Sequence, residues 1–242
     1  MCEVLKMNIV ILGASSDLGR PISEALAKQG HDLVLHFARN SEKIAHLTSA
    51  KATPLQADLT NPQSFQNFSE KAITTLSKVD TLINMIGPYS ESPLLELTPT
   101  QWKQTLDFNL NVIFESCFLF KNQILKNKGH IINFCYDGVE NIRSWENATA
   151  YAAAKAGLAI LTKSLARAMA PHGARVNAIC PGYIDSEHFS LETREMLNQS
   201  IPSGRMGQAN EIVSLLSWLV NESPSYMTGA LLPIGGAWEH GA

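Results

Sequence analysis

Short runs of consecutive apolar residues alternate along the chain with longer stretches in which apolar residues recur every three or four positions. The first run, Asn8-Ile9-Val10-Ile11-Leu12, is rich in β-branched residues and is typical of a strand buried on both faces of a parallel sheet. The pattern predicts strands over residues 8–12, 32–37, 53–57, 79–84, 129–134, 175–180 and 230–233. It predicts helices over 21–27, 61–76, 98–126, 148–170 and 210–220, and one more within 188–200.

Strand–helix alternation over the whole length indicates an α/β fold, a Rossmann-type doubly wound parallel sheet of about seven strands flanked by helices. The sequence shows no linker, repeat or low-complexity segment, so residues 1–242 are predicted to form a single Rossmann-fold domain. In such a sheet the ligand lies across the carboxyl ends of the strands. The chemistry is therefore expected in the segments that directly follow strands.

The segment after the first strand reads Gly13-Ala14-Ser15-Ser16-Asp17-Leu18-Gly19 and leads into the first predicted helix. Strand, glycine-rich turn and helix is the arrangement that binds a pyrophosphate through backbone N–H groups at a helix N-terminus. The glycine spacing differs from the common G-x-G-x-x-G pattern, so an ordinary strand-to-helix turn is the alternative. After the second strand, Arg39 lies where a carboxylate would favour NAD, and its guanidinium suits the 2′-phosphate of NADP(H). A solvated arginine is the alternative interpretation.

Tyr151 and Lys155 lie four residues apart in an alanine-rich helix, which puts the phenol and the ammonium on one face. A phenol ordinarily ionises near pH 10, and a neighbouring cation lowers that pKa, which makes the tyrosine a usable general acid or base. Taken alone, the pair could equally be surface residues of an ordinary helix. The helix begins just after the fifth predicted strand, however, so the pair is expected to face the proposed dinucleotide site.

Composition narrows the functional classes. The chain has 242 residues, of which 45% are hydrophobic and 17% charged, and a net charge of −3 with both signs scattered, so no nucleic-acid partner is expected. No apolar run reaches membrane-spanning length, and the start lacks the layout of a signal peptide. The seven histidines have no ligand spacing and are expected at the surface or at strand ends, so no metal is predicted. The cysteines, also without paired or metal-like spacing, suggest reduced thiols of a cytoplasmic protein: Cys2, Cys117, Cys135 and Cys180.

Taken together, the motifs resemble those of the short-chain dehydrogenase/reductase family over nearly the full length of the chain. The residues that carry the resemblance are the Gly13 to Gly19 turn, Asp58-Leu59, Asn84-x-x-Gly87, Asn109, Tyr151-x3-Lys155, Pro181-Gly182, Thr228-Gly229 and Gly235-Gly236. Within the family the chain looks most similar to the 3-oxoacyl-carrier-protein-reductase-like branch, because Arg205-x-Gly207 is followed by Glu211.

The resemblance implies a role for each matching residue. Tyr151 would protonate the carbonyl oxygen while hydride reaches the carbonyl carbon, Lys155 would lower the Tyr151 pKa and hold the ribose, and Asn109 would sustain a relay water. The implied cofactor-binding residues are Gly13, Ser15, Ser16, Asp17, Leu18, Gly19, Arg39, Asp58, Leu59, Asn84, Gly87, Tyr151, Lys155, Pro181, Gly182, Ile184 and Ser186.

Two departures from the family pattern affect chemistry. Asp17 replaces the middle glycine of the turn, where its carboxylate would repel a pyrophosphate unless it points away. Tyr136 lies where the family has its catalytic serine, and a phenol can donate the same hydrogen bond from a longer arm. Substrate contacts in this fold are expected from the segments around 88–97, 137–147 and 187–200, which carry no readable motif.

The expected function is that of an NADPH-dependent carbonyl reductase acting on a ketone or aldehyde, with a 3-oxoacyl thioester as one candidate substrate. The alternatives are reduction of a C=N or C=C bond, as in pteridine or enoyl reductases, and an NADP-binding scaffold without turnover because Tyr136 blocks the pocket. The expected partner is a small-molecule substrate. Two apolar helices, which the family pairs across subunits, predict a homotetramer or homodimer; a buried monomer core is the alternative.

Overall fold

Seven parallel strands form one sheet in the computed structural model, which describes residues 5–48 and 51–238. The strands are β1 (Asn8–Leu12), β2 (Asp32–Phe37), β3 (Ala52–Gln56), β4 (Thr81–Asn84), β5 (His130–Phe134), β6 (Arg175–Pro181) and β7 (Leu231–Ile234). Their order across the sheet is β3-β2-β1-β4-β5-β6-β7. The order reverses between β1 and β4, which creates the crevice where ligands bind in doubly wound sheets. The predicted fold class is confirmed, with strand ends shifted by at most two residues.

Seven α-helices accompany the sheet in the described ranges: α1 (Gly19–Lys28), α2 (Pro62–Leu76), α3 (Pro99–Leu106), α4 (Val112–Lys126), α5 (Thr149–Met169), α6 (Leu191–Ser200) and α7 (Ala209–Asn221). The long helix predicted over 98–126 is interrupted, because the five residues Asp107–Asn111 form a π-helical turn between α3 and α4. Such turns insert one extra residue and are frequent at functional sites.

The core lies on both faces of the sheet, as the continuous apolar runs predict. In β1, Val10 and Leu12 pack on one side with residues of α2, α4 and α5. Ile9 and Ile11 pack on the other side with residues of α1 and α7. Alternate residues of a strand point to opposite faces, so a strand that is apolar at every position has both of its faces buried. The two helical layers leave the carboxyl ends of the strands accessible.

Several sequence expectations concern cysteines, histidines and membrane helices. Cys117, Cys135 and Cys180 are free, buried thiols, whereas Cys2 lies outside the described residues. His36 and His130 do lie near strand ends, but they are buried rather than at the surface, because each ring hydrogen-bonds inside the protein. Within residues 5–48 and 51–238, no helix is long and apolar enough to cross a bilayer.

Candidate active site

Tyr151 and Lys155 lie in the first two turns of α5, and the structure brings them together as predicted. The Lys155 Nζ lies 5.7 Å from the centroid of the Tyr151 ring and donates a hydrogen bond of 2.9 Å to the Phe134 carbonyl oxygen. Lys155 is only 2% exposed, and burial lowers the pKa of its ammonium to about 8. The alanines around the pair keep the helix narrow at this point, so the two functional groups reach the end of β5.

The expected direction of the Tyr151 pKa is wrong. Burial raises this pKa above the ordinary value of a phenol, and the neighbouring Cys135 and Tyr136 raise it further. The free-energy cost of removing a phenolate from water exceeds its attraction to the Lys155 ammonium, because the Lys155 Nζ donates its hydrogen bond to a backbone carbonyl. Tyr151 is therefore a protonated group at neutral pH, which is the state a proton donor requires.

Tyr136 is the second phenol of the site. Its ring centroid lies 6.2 Å from that of Tyr151 and 5.3 Å from that of Trp145, which meets it edge to face. Tyr136 is buried, and burial raises the pKa of its phenol. The sequence position of the missing serine is thus occupied by a hydrogen-bond donor that faces the same cavity as Tyr151.

Asn109 is held inside the π-helical turn. Its Nδ2 donates to the carbonyl oxygens of Thr105, at 3.1 Å, and Pro88, at 3.2 Å. Its Oδ1 is buried and has no hydrogen-bond partner among the described residues. Gly87 packs directly on this oxygen, because a Cβ built at Gly87 would lie 2.2 Å from it. The unsatisfied oxygen is the kind of group that an ordered water or ligand hydroxyl would satisfy.

The glycine turn is tight enough to bring backbone N–H groups against a phosphate. Gly13 has a φ of +83°, and a Cβ there would lie 2.4 Å from the Met85 carbonyl oxygen. A Cβ at Gly19 would lie 2.2 Å from the Gly13 carbonyl oxygen. Ser16 closes the turn, since its Oγ donates to the Gly13 carbonyl oxygen and accepts from the Gly19 N–H. These residues fit the pyrophosphate of a dinucleotide.

Asp17 directs its carboxylate sideways rather than into the turn. Its two oxygens contact the Lys43 Nζ at 3.3 Å and the His188 Nε2 at 2.8 Å. Lys43 follows β2, and His188 follows β6, so Asp17 links segments from both sides of the cavity. From its sequence position, Asp17 is expected to repel a pyrophosphate unless its carboxylate points away. Both carboxylate oxygens contact residues outside the glycine turn.

His36 supports the glycine turn, and sequence reasoning missed it. The Gly13 N–H donates to His36 Nδ1 at 3.2 Å, which leaves Nε2 as the donor to the Ala57 carbonyl oxygen at 3.1 Å. Burial lowers the pKa of His36 to about 4, so the ring is neutral and keeps its acceptor nitrogen. The available signal was a polar residue that shares the buried face of Val34 two positions before it in β2.

Arg39 and Asp58 lie side by side at the adenine end of the proposed site. Both side chains are exposed, and hydrogen bonds from Thr60 lower the Asp58 pKa first, with the charge of Arg39 adding to the effect. Thr60 donates to the carboxylate through both its N–H, at 2.9 Å, and its hydroxyl, at 2.6 Å. Leu59 is buried in the core, so only its backbone faces this end.

Met85, Ile86 and Gly87 line the cavity, in the segment where the sequence predicts a wall beside the cofactor. Asn84 lies one residue earlier and is fully buried. Its Nδ2 donates to the Asn133 Oδ1 at 2.9 Å, and its Oδ1 accepts from the Ser116 hydroxyl at 2.8 Å. The Asn84 side chain therefore ties β4 to β5 and α4 rather than facing the cavity.

After β6, the backbone turns along the cavity. Pro181, Gly182 and Ile184 line it, and Ile184 pairs with Gly207 in an isolated parallel bridge. Ser186 lies further along, where its carbonyl oxygen accepts a hydrogen bond of 2.7 Å from Arg194.

A cavity of about 570 Å³ is lined by Ser16 and Leu18 of the glycine turn and by Tyr136, Tyr151 and Lys155. Arg39, Asp58 and Asn109 do not contribute to its lining. All three segments expected to contact substrate contribute to its wall, through Tyr89, Glu91, Trp145, Phe189, Thr193, Met196 and Leu197. The cavity can therefore hold a dinucleotide end and a small molecule side by side, with the second at a proton donor.

Comparison with known proteins agrees with this geometry. The sequence model of the family described as enoyl-(acyl carrier protein) reductase matches residues 13–237. The chain is 30% identical over 233 residues to the 3-oxoacyl-[acyl-carrier-protein] reductase FabG of Escherichia coli, and the match covers 94% of this chain and 95% of that protein. A solved short-chain dehydrogenase/reductase from Serratia marcescens has a TM-score of 0.87 and 26% identity, covering 96% of this chain and 97% of that one.

A further solved structure contains a bound cofactor. A blue fluorescent protein from a metagenomic library, in complex with NADPH, has a TM-score of 0.84 and 26% identity, covering 96% of this chain and 98% of that one. The chain belongs to the short-chain dehydrogenase/reductase family. It is an NAD(P)-dependent oxidoreductase whose relatives include 3-oxoacyl-carrier-protein reductases.

Proposed function

We propose that this protein is an NADPH-dependent carbonyl reductase that acts on a ketone or aldehyde. The observation that carries the proposal is the shared cavity, in which the protonated Tyr151 lies beside Lys155 and Tyr136 at one end and the glycine turn lies at the other. NADPH would supply the hydride when bound, held by the Gly13 to Gly19 turn, Met85 to Gly87, Lys155 and the backbone from Pro181 to Ile184.

Tyr151 is the general acid of the proposed reaction. The phenol is protonated at neutral pH, as a proton donor must be, and burial raises its pKa. Since a raised pKa makes the phenol a weaker acid, its proton transfer to the carbonyl oxygen depends on stabilisation of the tyrosinate. The tyrosinate that results is stabilised by the positive charge of Lys155, whose pKa of about 8 leaves the ammonium mostly protonated at neutral pH. Asn109 would hold an ordered water in this proposal, because its buried Oδ1 has no hydrogen-bond partner among the described residues.

Tyr136 orients the substrate in this proposal. Its pKa is raised by burial, so the phenol remains a donor and can hydrogen-bond the carbonyl oxygen that Tyr151 protonates. Two donors that converge on one oxygen stabilise the negative charge developing there. Tyr136 thereby takes the part that a serine hydroxyl has elsewhere in the family.

The preference for NADPH over NADH is supported by the exposed Arg39, which follows β2 beside Asp58. A guanidinium can bind a 2′-phosphate through two parallel hydrogen bonds. The NADPH-bound structural neighbour is consistent with this choice.

Reduction of a C=C or C=N bond is the second candidate. The phenol of Tyr136 in place of a serine changes where a polarised oxygen would bind, and the matching family model carries the description of an enoyl reductase. A cofactor-binding scaffold without turnover is a further alternative, because Tyr136 narrows the cavity.

The proposed location of the protein is the cytoplasm. Free thiols at Cys117, Cys135 and Cys180 are typical of that reducing compartment.

The proposed assembly is a homotetramer or homodimer built on α4 and α5. Exposed apolar side chains on these helices, among them Phe114, Phe118 and Ile160, support it.

The experiment that tests the function combines cofactor titration with a substrate screen. NADPH and NADH would be titrated by fluorescence, and NADPH oxidation would be followed with ketones, acetoacetyl thioester, dihydropterin and enoyl thioester. We expect turnover of a ketone, and a loss of about a hundredfold or more in kcat for Tyr151→Phe with NADPH affinity retained, since general acid catalysis contributes that much. Turnover of only the enoyl or pterin compounds would favour the second candidate. NADPH binding with no turnover of any compound would favour the scaffold.

A further inference from the structure

The half of the cavity beyond Tyr151 is the part that would hold the substrate, and its lining is aromatic and nearly free of charge. We propose that this half selects an uncharged ketone on an aromatic or fused-ring skeleton and discriminates against carbonyl compounds that carry a carboxylate or phosphates, including carrier-bound and coenzyme A thioesters. The inference rests on the proposed function and specifies its substrate class.

Aromatic rings come from separate segments and meet around the proton donor. The Tyr89 ring lies edge to face with that of Tyr151, with centroids 5.0 Å apart, and Tyr136 lies on another side of Tyr151. Tyr183 and Phe189 form the wall contributed by the segment after β6, with ring centroids 6.5 Å apart. A flat, apolar ring can pack offset or edge to face against such a set, which adds about 0.5–1.5 kcal/mol per aromatic pair to the burial of its area.

The charges that line this cavity favour neutral ligands. Among the described residues that line it, only Glu91 and Lys155 are charged. Lys155 lies at the cofactor side, where its Nζ donates to the Phe134 carbonyl oxygen. Glu91 is the single charge on the substrate side, and its carboxylate accepts from the Tyr89 hydroxyl. An anionic substrate would therefore meet one carboxylate and no compensating cation there.

The nearest arginines are engaged elsewhere. The Arg143 guanidinium lies 5.0 Å from the centre of the Trp145 ring and lines a neighbouring cavity of about 730 Å³ on the other side of that ring. Arg194 donates to the Ser186 carbonyl oxygen at 2.7 Å and contacts the Asp185 carboxylate at 3.2 Å. Neither arginine lines the cavity that would hold the substrate.

Charges on a neighbouring exposed segment add to the discrimination. The segment that supplies Phe189 to the cavity also carries the exposed Glu187, Glu192 and Glu195, none of which lines the cavity itself. An acidic carrier protein that delivered an acyl chain to this opening would approach like charges, which weakens association.

The test is a matched substrate series assayed by NADPH oxidation with the full chain. The series holds 1-tetralone, a carboxylated tetralone of the same skeleton, and the acetoacetyl thioesters of N-acetylcysteamine and of coenzyme A. We expect kcat/KM for tetralone to exceed that for its carboxylated analogue by about tenfold or more, the size expected for one uncompensated charge near a carboxylate. The kcat/KM for the neutral N-acetylcysteamine thioester should likewise exceed that for the coenzyme A thioester. The kcat/KM for tetralone should exceed both.

Two variants test whether the discrimination depends on Glu91. Glu91→Gln should raise the kcat/KM for the carboxylated tetralone, relative to that for tetralone, by about fivefold or more, because it removes the only negative charge among the residues on the substrate side of the cavity. Glu96→Gln is the matched control, since Glu96 lies on the same loop but lines the neighbouring cavity, and it should leave that ratio unchanged.

The outcomes separate the two proposals. Equal or better turnover of the carboxylated ketone or the coenzyme A thioester would overturn the substrate class while leaving carbonyl reduction intact. If no carbonyl compound is reduced, the proposed function fails, and calorimetric titration of the two tetralones into the NADPH-loaded protein still decides the class of ligand. Tighter binding of the carboxylated compound would then overturn the inference.

Discussion

At the scale of residues, sequence spacing predicted which side chains lie close together but not how their surroundings shift their pKa values. Tyr151 and Lys155 could be found because four residues bring two side chains onto one helix face. The direction of the Tyr151 pKa could not be found, because it depends on burial within the fold and on the electrostatic effect of Cys135 and Tyr136, which lie on another segment of the chain. The role of Tyr136 stays a prediction that the substrate screen can test.

A residue-scale prediction concerns Arg39 and the choice of cofactor. Arg39→Ala should weaken NADPH binding by about tenfold or more, since a lost hydrogen bond to a charged group costs about 1.5–3 kcal/mol. NADH binding, measured by the same fluorescence titration, is the control and should change little. An unchanged ratio of the two dissociation constants would show that Arg39 does not read the 2′-phosphate.

A second residue-scale prediction concerns His36 and acid. The folded-state pKa of about 4 lies below the ordinary 6.5, so the unfolded chain binds a proton first as the pH falls. Stability is therefore lost from about pH 6.5 down to pH 4, and the loss between pH 7 and pH 5 should be about 2 kcal/mol from this group. Urea unfolding of His36→Gln should show a smaller loss over the same interval. An identical loss in both proteins would contradict the assignment.

At the scale of elements, periodicity predicted strands and helices well because the sheet is buried on both faces and each strand is apolar throughout. The π-helical turn at Asp107–Asn111 was not predicted, since one inserted residue hardly disturbs the apolar pattern of a long helix. The link from Asn84 to Asn133 was also missed, because it needs the register of β4 against β5, in which the two residues are direct partners.

The element-scale prediction concerns the contact between the loop after β4 and the π-helical turn. Gly87→Ala should destabilise the protein by about 3 kcal/mol or more, because the new Cβ would collide with Asn109 and a φ of +114° strains an alanine. Gly204→Ala is the matched control, since Gly204 has a φ of +75° but nothing within 4 Å of its Cβ position. It should cost about 1 kcal/mol in urea unfolding. Equal costs would mean that the contact with Asn109 is unimportant.

At the scale of the whole molecule, the sequence predicted a doubly wound sheet and the family comparisons agree with it. Assembly was predicted from the apolar residues of two helices, and most of these are buried or half-buried against the core, among them Ile113, Phe120 and Leu158. Phe114 is 53% exposed and its ring centroid lies 6.5 Å from that of the exposed Phe118, so an apolar patch faces outward on α4.

The molecular-scale prediction follows from this surface. The wild-type protein should elute as a multiple of its 26.5 kDa chain mass in light-scattering chromatography. Phe114→Glu should shift the population towards a single chain, because a carboxylate on an apolar contact face must be desolvated when subunits meet. Phe114→Leu keeps the face apolar and should preserve the assembly. A wild-type monomer would exclude the proposed homotetramer and homodimer.

The bridge that Asp17 makes to Lys43 and His188 has a consequence for protein engineering. Lys43 follows β2, the region that contacts the adenosine ribose in folds of this kind. Replacing Lys43 would remove one of the two ion pairs of Asp17 and leave its contact with His188 on the segment that carries Phe189 to the cavity. A variant of Lys43 made to alter nucleotide preference should therefore also be assayed for its carbonyl substrate, since one acidic side chain contacts both segments.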